Sequence, residues 1–195
     1  MESTQISLGD LADITIGVTF RGADATHHSP DGTHQLVRIG DVSTSGIIDT
    51  QKVNLVKVDD RSIAKYELRR GDIILASRGE RMPVAVYDLP IKSIVGSQFF
   101  IIRLNNSRLT PAYLRWFLSV EPTQRTLASM LKGSYIKSLS KESLTTLRVP
   151  VPPLNKQNTI VELNKLLQLE SNILLRLSQA KPLLLNQSVL NKISK

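Results

Sequence analysis

The 195-residue chain has no cysteine, which excludes a disulfide scaffold, a thiolate metal site and a cysteine nucleophile together. It has no apolar run approaching the ~20 residues that a membrane-spanning helix needs. Its first ten residues, MESTQISLGD, carry neither a basic n-region nor an apolar h-region, so the expectation is a soluble, cytoplasmic protein with no membrane partner. No two glycines are spaced G-x-G, a spacing that lets backbone amides approach the phosphates of a nucleotide-type cofactor. No Asp-x-Lys or Glu-x-Lys occurs, so the carboxylate and ammonium of a common type of metal-dependent nuclease are missing. A G-x-S-x-G elbow for a serine nucleophile is also absent. No catalytic residue, cofactor or metal ligand set is therefore expected.

What is present is positive charge. Lys and Arg number 25 against 17 Asp and Glu, a formal net charge of +8, which points toward a polyanion partner such as nucleic acid. The three histidines, His27, His28 and His34, fall with Asp24 and Asp31 in one polar stretch. A metal site drawn from them would lack both cysteine and an H-E-x-x-H spacing, and a solvated loop fits them better. Val151-Pro152-Pro153-Leu154 is related in form to the tetrapeptide of amino-methyltransferases, but it lacks the polar residue and the aromatic ring that hold the flipped base.

Residues 1–110 read as short strands joined by turns. Leu36–Ile39, Asp72–Ala76, Val84–Tyr87 and Gln98–Leu104 are rich in β-branched and aromatic residues and are bounded by Gly, Pro, Asp or Ser. Their continuous apolar runs predict burial on both faces. Helix signals begin at Thr110-Pro111, an N-cap followed by proline at the first helical position. Glu121-Pro122 opens a second helix predicted to run to about Leu131, with Gly133 stopping it. A third begins near Ser140, and the strand-like Leu147-Arg148-Val149 then leads into PVPPLNKQ, with three prolines in four residues.

Beyond Asn155, read as an N-cap, Ile160, Leu163, Leu166, Leu167, Ile173, Leu174, Leu177, Ala180 and Leu184 recur at helical spacing. Leu163, Leu177 and Leu184 form one seam position and Leu166, Ile173 and Ala180 the other, giving an approximate heptad interrupted at Glu170. At about 1.5 Å per residue a helix to Ile193 would be roughly 58 Å long, too long to hide its stripe on a domain of ordinary size. Pro182 lies inside it. An interior proline costs about 3 kcal/mol or more, so a kink or a restart near Lys181, and hence a helix in two pieces, is expected.

Four segments in order resemble one family. Leu36–Ile48, LVRIGDVSTSGII, and Leu68–Glu80, LRRGDIILASRGE, each carry a Gly-Asp turn; Lys132–Leu147, KGSYIKSLSKESLTTL, and Val149–Gln157, VPVPPLNKQ, follow. Together they resemble the specificity subunit of type I restriction–modification systems, and the resemblance covers essentially the whole chain. Full-length members carry two target-recognition domains, each followed by a long helix, and the helices pair antiparallel. This chain carries one of each. The resemblance implies an α+β fold: a mixed, strand-rich target-recognition domain over 1–149, a proline hinge over 150–154, and a spacer helix over 155–195 that pairs as an antiparallel coiled coil. Leu163, Leu166, Leu167, Ile173, Leu177, Ala180 and Leu184 are its expected dimerisation residues.

The resemblance further implies a non-catalytic module that homodimerises on an interrupted palindrome in double-stranded DNA. It would direct type I methyltransferase subunits, which bind S-adenosylmethionine, and a restriction or translocase subunit where one exists. The alternative from the residues alone is a stand-alone dimeric DNA-binding regulator with no enzyme partner. In either case base contacts specify while phosphate contacts position. The candidate contacts are Arg21, His27, His28, Arg78 and Arg81, with the loop of Lys132, Gly133, Ser134, Tyr135 and Lys137. Arg38 and Arg148 lie in strand-like stretches and read as structural, and Tyr113 and Trp116 as core.

Overall fold

The structure is a computed structural model that describes residues 4–20, 28–43, 45–51, 54–58, 63–79, 81–133, 135 and 137–193, with side chains in the last helix described to Pro182. In chain order the elements are β1 (Thr4–Ser7), a helical turn α1 (Leu8–Leu11), β2 (Ala12–Ile16), β3 (His34–Val37), β4 (Asn54–Val56), β5 (Ile73–Ala76), β6 (Val84–Val86), β7 (Ser93–Val95), β8 (Phe99–Leu104), α2 (Pro111–Ser119), α3 (Glu121–Ser129), α4 (Lys141–Thr145), β9 (Arg148–Val151) and α5 (Leu154–Ile193). The chain divides into two units, Met1–Gln157 and Asn158–Lys195. The fold class is α+β, as the sequence predicts.

In the first unit β2, β8, β5 and β6 form an antiparallel sheet in that order. Its two middle strands are the predicted apolar runs, and Ile73, Ile74, Leu75, Ala76 and Phe99–Ile102 are all buried. Each fully buried Leu, Ile or Phe contributes roughly 1.5–3 kcal/mol, so these strands carry much of the core. A second sheet pairs β3 antiparallel with β4 and parallel with β7; its Leu36, Val56 and Ile94 form an apolar cluster with Ile63. The third pairing joins β1 to β9, with Gln5 opposite Pro150. That register ties the first described strand to the strand entering the proline joint.

The two Gly-Asp turns fold alike in one respect. The N–H of Arg38 donates to the Asp41 carboxylate at 2.8 Å, and the N–H of Arg69 donates to Asp72 at 2.8 Å. They differ at glycine. Gly71 has φ of 89°, as a turn with a left-handed third residue requires, whereas Gly40 is not among the glycines with positive φ. Asp72, 2% exposed, also accepts two hydrogen bonds from Arg103 at 2.8 and 2.6 Å. This pairing holds the Arg103 guanidinium above its ordinary pKa, and it keeps a buried carboxylate from standing uncompensated.

Helices α2, α3 and α4 start where predicted. Thr110 Oγ1 accepts from the Tyr113 N–H at 3.3 Å, and Ser140 Oγ accepts from the Ser143 N–H at 3.1 Å. Three details differ from expectation. Helix α3 ends at Ser129 with Met130 as its cap, so Gly133 stops nothing and instead sits in the following loop with φ of 125°. Helix α5 begins at Leu154, which makes Asn155 its second residue and leaves only Pro152 and Pro153 between β9 and the helix. The same helix continues through Pro182 as one element of 40 residues, not two; a single proline removes one backbone hydrogen bond, and the flanking turns continue around it.

The second unit is helical throughout its described length and exposes apolar side chains. Leu166 is 62% exposed and Ile173 49%, and Leu163, Leu167 and Leu177 are likewise exposed. Among the described residues no helix is long and apolar enough to cross a membrane.

Candidate nucleic-acid interface

The turn Gly96-Ser97-Gln98-Phe99 joins β7 to β8 and is closed by the Phe99 N–H donating to the Gly96 carbonyl at 3.0 Å. From one direction it is held by Gly17, whose N–H donates to Phe99 O at 2.9 Å. A Cβ at Gly17 would lie 2.3 Å from Gly96 O, so only glycine permits this approach. From another direction the Gln98 carbonyl accepts both the N–H and the Oγ–H of Ser77, at 2.8 and 3.0 Å. The backbone is thus fixed while the side chains of Ser97 and Gln98 stay exposed.

Two clefts share those two residues. One, of about 550 Å³, is lined by Val18, Phe20, His28, Arg38, Asn54, Gly96, Ser97 and Gln98 among others. The other, of about 330 Å³, is lined by Ile16, Ser77, Arg78, Ser97, Gln98, Phe100, Ser138 and Leu139. The turn is therefore a ridge common to both.

Two loops border the second cleft. The β5–β6 loop leaves Ala76 and returns at Val84, and it is clamped at Met82 by a buried amide. Gln124 of α3 accepts from the Met82 N–H at 2.9 Å and donates to the Met82 carbonyl at 3.1 Å and to that of Leu118 at 2.6 Å. The other loop is closed by reciprocal backbone bonds between Lys132 and Ser138, at 3.0 and 2.9 Å, and its next residue, Leu139, donates to the Ser77 carbonyl at 2.7 Å. Ser77 therefore connects the ridge, the arginine loop and the Lys132 loop.

Of the residues singled out from sequence, Arg78 lines the second cleft and His28 the first. Arg81 is exposed on the clamped loop but lines neither cleft. Lys132, Gly133, Tyr135 and Lys137 are all exposed on the bridge-closed loop, Tyr135 to 97%. Arg21, His27, Asp24 and Ser134, and the side chain of Leu184, lie outside the described residues. The histidine stretch does not form one surface. His34 is buried in β3, with Nδ1 2.9 Å from Thr33 Oγ1 and Nε2 3.7 Å from the Glu67 carboxylate, so it serves the core while His28 faces solvent.

The arginines divide by partner. Arg70, Arg103 and Arg125 are ion-paired with Asp88, Asp72 and Glu121, and Arg115 donates to the Ser45 carbonyl while burial lowers its pKa. Arg78 and Arg81 have no such partner among the described residues. An arginine held near a polar ridge without a counter-ion is available to phosphate or to a base edge. Arg38, read from sequence as a strand residue, is in fact exposed at the first cleft just beyond β3. Ser97, Asn54 and Gln124 carried no signal that singled them out, and Gln98 was legible only as the start of a strand-like run.

The joint is built around one amide. Gln157 is fully buried, and its Oε1 accepts from the Thr110 N–H at 2.9 Å. Its Nε2 donates to the carbonyls of Arg108 and Pro152 at 2.7 and 2.8 Å. Tyr113 adds a hydrogen bond from its hydroxyl to the Pro150 carbonyl at 3.0 Å. Burial raises the pKa of this tyrosine, which keeps the donor protonated.

The sequence model of a family described as the type I restriction modification DNA specificity domain matches residues 2–179. The chain belongs to this family. As a specificity domain it is 26% identical over 159 residues to a protein of Methanocaldococcus jannaschii named as a type I restriction enzyme MjaX specificity subunit, an alignment that covers 79% of the chain and 37% of that protein. Its fold is similar to the crystal structure of the HsdS subunit from Thermoanaerobacter tengcongensis, with a TM-score of 0.65 at 19% identity, covering 89% of the chain and 39% of that one. The specificity subunit from M. genitalium gives a TM-score of 0.55 at 15% identity, over 84% and 38%. The chain thus spans about two-fifths of the length of these relatives.

Proposed function

We propose that the chain is a non-catalytic, cytoplasmic DNA-reading module of a type I restriction–modification assembly. Its first unit would contact double-stranded DNA through the Ser97–Gln98 ridge and the two loops beside it. Arg21, His27, Ser134 and Lys137 extend the same set of candidates in sequence. Methyl transfer, and the S-adenosylmethionine that supplies it, belong in this reading to separate methyltransferase subunits, as strand cleavage belongs to a restriction subunit. The observation that carries the reading is the coincidence, in a member of the specificity-domain family, of a backbone-locked polar ridge with Arg78, which lines the same cleft and has no ion-pair partner among the described residues.

The exposed leucines of α5 support a second copy as partner. Leu163, Leu166, Leu167, Ile173 and Leu177 are exposed on a 40-residue helix, and with Ala180 and Leu184 they continue the approximate heptad. Antiparallel pairing of two such helices about a two-fold axis would cover them and present two identical readers, so the target would be two inverted half-sites around an unread gap.

Mapping methylated adenines in cells that express the chain with its methyltransferase subunit tests both parts. The expected motif is an interrupted palindrome, and Leu166→Lys with Ile173→Lys should abolish it while shifting the purified chain toward monomer in sedimentation. An asymmetric motif would reject the homodimer, and sequence-specific DNA binding with no effect on any methyltransferase would favour a stand-alone regulator.

A further inference from the structure

Three amide side chains in the first unit serve as pegs for backbone. Gln124 and Gln157 each hold three backbone groups, and Asn106 donates to the Leu11 carbonyl at 3.1 Å. Gln98 is held differently. Its main chain is locked by Ser77, and its exposed carboxamide makes no hydrogen bond to any described residue.

We infer that Gln98 is a base-reading residue that recognises adenine in each half-site through its carboxamide. This rests on the proposed DNA-reading role. A carboxamide presents an acceptor beside a donor, the pattern that matches adenine N6 and N7 in the major groove. Its neighbours offer less. Arg78 is donor only, which suits guanine O6 and N7 or a phosphate, and the Ser97 hydroxyl is single-pointed, so among these three only Gln98 sets a donor beside an acceptor as the adenine edge requires. Its position supports the role, because it stands where the two clefts meet and Arg78 lines one of them. Arg78 can hold a phosphate, which positions the protein without reading sequence. The locked backbone leaves only side-chain torsions to be ordered on binding, which limits the entropic cost of the contact.

The test uses the full chain co-expressed with its methyltransferase subunit in cells carrying a library of random duplex sequence, with methylated adenines mapped. For Gln98→Ala the motif should persist but lose discrimination at one A·T position of each half-site, by about ten- to hundred-fold. For Gln98→Glu that same position should shift toward C·G, since a carboxylate accepts from cytosine N4. An unchanged motif in both variants overturns the assignment. So does a uniform loss of methylation in both with all base preferences kept, which is the mark of a phosphate contact. If the unaltered chain directs no sequence-specific methylation, the DNA-reading role itself fails, and the inference fails with it.

Discussion

Gln157 illustrates what one buried amide does when all its capacity is used. Replacing it with leucine keeps the volume but strands the Thr110 N–H and the carbonyls of Arg108 and Pro152, its three partners. Each stranded buried group costs about 1–3 kcal/mol. With some rescue by water, Gln157→Leu should destabilise the first unit by about 2–5 kcal/mol and lower its urea midpoint. Asn158→Ala, one residue on at an exposed position, should move stability by no more than about 0.5 kcal/mol. Equal effects from the two would refute the anchoring role. In sequence Gln157 was only one polar residue of PVPPLNKQ, because nothing local distinguishes a solvated glutamine from one with two of its three partners, Arg108 and Thr110, 49 and 47 residues upstream.

At the scale of elements, the arginine loop depends on a helix it does not touch in sequence. Gln124 satisfies both backbone groups of Met82, so it does for the β5–β6 loop what a neighbouring strand would do. Gln124→Leu should therefore raise the hydrogen-exchange rate of the Met82 amide and weaken DNA binding about ten-fold, a loss read by fluorescence anisotropy, with the four-stranded sheet still protected. Unaltered exchange at Met82 would show the loop to be held by other means. The elements themselves were largely legible: the apolar runs of β5 and β8, the Thr110-Pro111 start of α2 and the Ser140 cap of α4 follow local rules. Helix ends were less so. Gly133 looked like a stop but lies in a loop closed by the Lys132–Ser138 bridge, a tertiary pairing that no local glycine signal reveals.

For the whole molecule the net charge of +8 favours the proposed binding to a polyanion, and the number of phosphates contacted would set how that binding responds to salt. Each phosphate neutralised by Lys or Arg adds about −0.9 to the slope of log affinity against log salt concentration. Arg78→Ala should reduce the magnitude of that slope by about one and weaken binding by a similar factor on every duplex, whereas Gln98→Ala should leave the slope unchanged. Anisotropy titrations over a range of salt concentrations separate the two. A slope unaltered by Arg78→Ala would remove that guanidinium from the phosphates. The arginines already paired with carboxylates, Arg70, Arg103 and Arg125, add to the net charge without being as free to make such contacts.

The amino-acid sequence by itself determined the class of fold, the buried strands, the leucine-rich helix and the family. These rest on periodicity, capping and turn chemistry within a few residues, and on four motifs in order. Only the tertiary structure decided which polar residues share a surface. Ser77, Gln98, Arg78 and Leu139 come from three separate stretches of chain and meet through backbone hydrogen bonds. His28 and His34, six positions apart, part company because β3 is a central strand whose side chains are buried. Local rules specify an element through the free energy of its own turns and faces. A site is specified by the closure of long loops, whose ends are brought together by burial elsewhere in the core.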